Sequence, residues 1–75
     1  MLNLKGKIWL ELSKEDQEKL LRKANTIDAS TGNEIRTKGE CTVDFEGTNF
    51  SIAGFINDDG EIIIDGTAIF YNPID

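Results

Sequence analysis

Gly39-Glu40-Cys41-Thr42-Val43-Asp44-Phe45-Glu46-Gly47-Thr48-Asn49-Phe50-Ser51-Ile52-Ala53-Gly54-Phe55-Ile56, residues 39–56, is the stretch that decides the fold. Cys41, Val43 and Phe45 hold odd positions, with Ile35 in the same phase upstream. Glu34, Arg36, Lys38, Glu40, Thr42, Asp44 and Glu46 hold the even ones, which is the period-two pattern of a strand with one buried face. A long strand, bent at Gly39, is the expectation. Glu46-Gly47-Thr48-Asn49 is turn chemistry that reverses the chain into residues 50–56, and Asn57-Asp58-Asp59-Gly60 reverses it again. Glu61-Ile62-Ile63-Ile64 and Thr67-Ala68-Ile69-Phe70-Tyr71 supply the last strand segments, separated at Asp65-Gly66 by a hairpin or a bulge. Pro73 ends the pairing.

Upstream of this meander, Leu2, Leu4, Ile8, Leu10 and Leu12 fall at even positions with Asn3, Lys5, Lys7 and Glu11 between them, so residues 2–12 read as a first, half-buried strand. A helix follows. Ser13 can cap its free amides, Glu15, Asp16 and Glu18 cluster in its first turns, and Lys19, Arg22 and Lys23 cluster in its last, matching the helix dipole. Its apolar stripe is Leu20, Leu21 and Ala24, with Ile27 just beyond. Ala29-Ser30-Thr31-Gly32-Asn33 is a turn. The expected fold is α+β: β-α followed by an antiparallel meander of three or four strands, with the one helix packed on one sheet face. At 75 residues, the chain is expected to form a single domain, residues 1–75, around one core.

Domains this small commonly rely on disulfides, a metal or self-association. Cys41 is the only cysteine and histidine is absent, so neither an intramolecular disulfide nor a Cys/His zinc site is available. Homo-oligomer formation is the remaining expectation. Cys41 lies on the apolar row of its strand, where an inert thiol is expected. A lone cysteine, the absence of an export leader pattern and the lack of any long apolar run point to a cytoplasmic protein that engages no membrane.

Catalytic and metal chemistry finds little support in these residues. No histidine is present to activate a serine or cysteine nucleophile. Asn57-Asp58-Asp59-Gly60-Glu61 resembles a calcium loop only superficially. Aligning Gly60 with the obligatory glycine puts Phe55 and Gly66 where oxygen ligands belong. No catalytic residue, metal site or cofactor is assigned, and the chain is expected not to be an enzyme.

Charge carries the positive signal. All eight cationic side chains lie within residues 1–38 beside six carboxylates, whereas residues 39–75 hold eight carboxylates and no cation, for a net charge of −6. An anionic meander repels phosphate backbones, so direct nucleic-acid binding is not expected and a protein with a basic surface is the favoured partner. Glu40, Asp44 and Glu46, alternating along one strand, form a line of carboxylates able to occupy a groove built for phosphates; the alternative is that they only keep the domain soluble. Aromatic residues out of phase with the inward rows, Trp9, Phe55 and Tyr71, are candidate interface anchors. The candidate partner-binding residues are therefore Trp9, Glu40, Asp44, Glu46, Phe55 and Tyr71. The expected function is that of a small acidic, non-enzymatic binding protein, an inhibitor or regulator acting through protein–protein contacts. The alternatives are a homo-oligomer with an anionic-ligand site between subunits, and a small enzyme using carboxylates.

Overall fold

The computed structural model describes residues 4–72. One helix, α1 (Lys14–Leu21), is followed by four antiparallel strands in sequential order: β1 (Ala24–Ile27), β2 (Gly39–Phe45), β3 (Ser51–Ile56) and β4 (Ile62–Ile63). The chain is an α+β fold, as expected. Leu2 and Pro73, given roles from the sequence, lie outside the described residues.

Val43 and Ile52 face each other across β2 and β3, and with Cys41, Phe45 and Ile56 they form the inner face of the sheet. Leu4, Trp9, Leu20 and Phe70 close over that face. Trp9, Phe45 and Phe70 form a three-ring cluster: Trp9 stacks on Phe45 at 6.5 Å between centroids, and Phe70 stands 5.9 Å from each. These are distances at which aromatic pairs attract beyond simple burial.

The first expected strand is largely replaced. Among its described residues only Ile8 bridges, to Ile69, and the chain then tightens into a 3₁₀ turn over Trp9–Glu11. That turn breaks the alternation, so Trp9 is 7% exposed and Leu10 is 66% exposed, the reverse of the expected rows. The Glu11 carboxylate accepts from the Ile8 amide, and the Gln17 side chain donates to the Trp9 carbonyl at 2.9 Å, tying the turn to α1.

Ser13 caps α1 as expected, its Oγ accepting from the Asp16 amide at 3.1 Å, an interaction worth about 1 kcal/mol. Eight residues make a helix too short to persist alone. It is held by Leu20, its one buried side chain, while Leu21 stays exposed. Ala24 and Ile27 do not extend its stripe. They belong to β1, where Ala24 pairs with Phe45 and Ile27 with Thr42, because backbone pairing to β2 satisfies more polar groups than another helical turn with little to bury.

The expected long strand across Gly39 is also divided. Glu34 bridges Ile27 and the Ile35 amide donates to the Thr26 carbonyl at 3.0 Å, so residues 33–35 form the return arm of a hairpin with β1. Gly39, at φ +138°, begins β2 after this break. Past β4, Asp65-Gly66-Thr67 turns the chain away from β3, and it returns only at Tyr71, which bridges Ser51.

Candidate functional site

The outer face of the sheet is organised by register. Asn25, Asp44, Ser51 and Tyr71 form one cross-strand row; Ile27, Thr42 and Ala53 form the next; Glu40, Phe55 and Ile63 form a third. Phe55 and Tyr71 are 38% and 39% exposed, and Ile63 and Ala53 are exposed beside them. The Tyr71 hydroxyl reaches Thr42 Oγ1 at 3.4 Å, so its ring crosses the outer side of β3 and accounts for the burial of Ser51 beneath it.

An open groove of about 760 Å³ crosses this face. Small side chains make its floor, Thr42 and Ala53, and Phe55, Ile63 and Ala68 give it apolar walls. Carboxylates stand at both ends, Asp28 and Glu40 beside β1 and β2, and Asp65 beyond β4. An apolar centre with charged rims is the usual build of a recognition groove.

Two rim carboxylates are fixed by turns of the same chemistry. Asp28 accepts from the Ser30 hydroxyl at 2.7 Å and the Ser30 amide at 2.9 Å. Asp65 accepts from the Thr67 amide at 2.8 Å and hydroxyl at 2.7 Å. The Ser30 side-chain and backbone bonds hold the Asp28 carboxyl below the usual aspartate range, and the Thr67 backbone and side-chain bonds do the same for Asp65. Both remain anionic at neutral pH. The ion pairs found among the described residues, Lys19–Glu15, Arg36–Glu34 and Lys38–Asp58, leave Asp28, Glu40 and Asp65 without a cationic partner.

The six residues singled out from the sequence separate here. Glu40 and Phe55 line the groove, and Asp44 and Tyr71 share its face. Asp44 is half-buried and accepts from the Ser51 hydroxyl, so its carboxylate is engaged within the fold. Glu46 sits in the turn after β2, away from the groove, its amide donating to the Lys23 carbonyl at 2.9 Å. Trp9 is core, not an exposed anchor. Sequence reasoning missed Asp28, Asp65 and Ala53. The repeated pattern of Asp followed two residues later by Ser or Thr, at Asp28-Ala29-Ser30 and Asp65-Gly66-Thr67, is the signal that marks the two rim turns.

Cys41 is buried on the inner face, and burial pushes its thiol above the ordinary cysteine value. Among the described residues, no group of three or more Cys, Asp or Glu side chains is placed to hold a metal ion, and no helix is long and apolar enough to cross a membrane. The chain matches no protein-family model, no curated protein and no solved structure.

Proposed function

We propose that this chain is a non-enzymatic binding protein that receives a basic segment of a partner protein in the acidic-rimmed groove of its outer sheet face, acting as an inhibitor or regulator. The observation that carries this reading is that Asp28, Glu40 and Asp65 ring an apolar groove while no cation of the described chain pairs with them. Unpaired carboxylates around a low-dielectric floor raise the local concentration of cations and repel phosphate, favouring basic protein over nucleic acid. Phe55 and Ile63 supply the apolar contact that charge alone does not give.

An array of short peptides, basic, neutral and acidic in equal numbers, tests this directly. The protein is expected to retain the basic peptides at low salt and release them as ionic strength rises. A variant carrying Asp28→Asn, Glu40→Gln and Asp65→Asn together should bind them at least about tenfold more weakly, whereas Glu46→Gln should change binding far less. Equal retention by the triple variant and the parent would refute the proposal.

A further inference from the structure

The groove opens beside a position in the sheet where pairing is incomplete. Ser51 exchanges both backbone hydrogen bonds with Tyr71, 2.8 and 2.9 Å, on the side of β3 facing away from β2. In an antiparallel strand, residues two apart direct their amide and carbonyl to the same side. Residues 51, 53, 55 and 57 therefore all point toward the β4 edge. Tyr71 meets Ser51, Ile63 meets Phe55, and the Glu61 carbonyl accepts from the Asn57 amide at 3.0 Å.

Ala53 has no such neighbour. Among the described residues, no backbone hydrogen bond reaches it on that side. The chain takes eight steps from Ile63 to Tyr71 where β3 takes four from Phe55 to Ser51, and the surplus swings out as the Asp65-Gly66-Thr67 turn. What remains is a gap with Ala53 on one wall and Asp65 and Ala68 on the other, open into the groove.

We infer that the groove binds an extended cationic peptide segment by pairing its backbone with Ala53, an inference that rests on the proposed function and names the form its partner takes. An unpaired amide and carbonyl on one residue match the amide and carbonyl of one residue of a guest strand, which donates to the Ala53 carbonyl and accepts from its amide. Four strand residues span about 14 Å, and both ends of that span are already filled, so the gap admits a short stretch with one fully paired residue rather than a whole added strand. Neighbouring side chains of the guest then face opposite ways. The guest residue opposite Ala53 and those two away from it share the outer face, so cationic side chains there lie on the side of the sheet that carries Asp65 and Glu40, beside Phe55 and Ile63. A second copy of this chain fits less well, since its own groove would set carboxylate against carboxylate.

The test uses the full chain and a capped Arg-Val-Arg-Val-Arg peptide, together with the same peptide N-methylated at its central arginine. In the free protein, the Ala53 amide is expected to exchange with solvent much faster than those of Ser51 and Phe55 on the same edge. The unmodified peptide should slow Ala53 exchange at least about tenfold, and N-methylation should weaken binding by about tenfold or more, the scale of one lost backbone hydrogen bond at a partly desolvated site. If the two peptides bind equally, or Ala53 stays unprotected, backbone pairing is overturned. If that happens while binding still requires Asp28, Glu40 and Asp65, the acidic groove stands without it; if neither peptide binds, both proposals fall.

Discussion

Trp9→Ala separates a core aromatic from an interface anchor, and the structure sets the size of the effect. The indole is 7% exposed and touches both Phe45 and Phe70, so its removal opens a cavity at the centre of the ring cluster. Truncating a buried Trp or Phe typically costs about 3–5 kcal/mol. A chain of 75 residues has a total stability on the order of 4–11 kcal/mol, so this one substitution removes a large share of it. At about 4–8 °C per kcal/mol for a domain of this size, the melting temperature should fall by roughly 15 °C or more. Thermal melts by circular dichroism, with urea midpoints in parallel, read this directly. Tyr71→Ala is the comparison: its ring is 39% exposed and its hydroxyl bond is long, so about 1–2 kcal/mol is expected. A Trp9→Ala protein that melts within about 4 °C of the parent would refute the placement of the indole in the core.

A methyl group added at Gly54 would lie 2.6 Å from Val43 Cγ2, and one at Gly66 would lie 2.6 Å from Leu10 Cγ. Val43 is fully buried and stiff at its branched carbon while Leu10 is exposed and can rotate away, so Gly54→Ala should cost about 1–3 kcal/mol and Gly66→Ala clearly less. Urea denaturation that ranks them the other way would contradict this account. For pH, Asp28 and Asp65 have carboxyls lowered in the folded state, so their contribution to stability is present above the unfolded aspartate value of about 3.9 and is lost as pH falls through the lower folded values. Carboxyl NMR titration should show both midpoints below that of free aspartate. Ser30→Ala should raise Asp28 more than Thr67→Ala raises Asp65, because the hydroxyl bond dominates at Asp28 and the backbone amide at Asp65. Equal, unshifted midpoints would refute it.

The meander was legible because period-two alternation has one simple cause, a sheet with one wet face. Cys41, Val43, Phe45, Ile52 and Ile56 are buried where that alternation put them. Residues 2–12 misled for the same reason that they looked clear: the row Leu4, Ile8, Leu10 is regular, but a three-residue 3₁₀ turn exchanges the faces at Trp9, and nothing local distinguishes the two phases. Ala24–Ile27 read as a helix tail because Ala24 and Ile27 continue a helical stripe. Its strand identity comes from pairing with residues 42–45, 15 to 21 positions away. In the groove, Glu40 and Phe55 were legible as an exposed acid and an out-of-phase aromatic. Asp28 and Asp65 were not, since two turns far apart in sequence meet at one face only through the sheet order.

The closed core and the open groove have a common origin in the path of residues 64–70. Having left β3, this segment finds its backbone partners in the N-terminal chain: the Leu10 amide donates to the Gly66 carbonyl and the Trp9 amide to the Ala68 carbonyl, while the Phe70 amide donates to the Lys7 carbonyl and the Gly6 amide to the Phe70 carbonyl, all at 2.9–3.1 Å. Those four bonds place Trp9 and Phe70 over Phe45 and so close the inner face. A straight continuation of β4 along β3 would pair Ala53 but would carry the chain away from residues 6–10, leaving the Trp9 and Lys7 groups without partners and the ring cluster unassembled. The unpaired Ala53 edge is therefore the cost of closing the core in a chain of 75 residues that has no disulfide to close it otherwise. Because an exposed strand edge is a standing risk of pairing with unintended strands, its shortness and its ring of Asp28, Glu40 and Asp65 do two things at once. On the proposed function they repel acidic and phosphate-bearing chains and leave a short cationic segment as the guest that gains from entering.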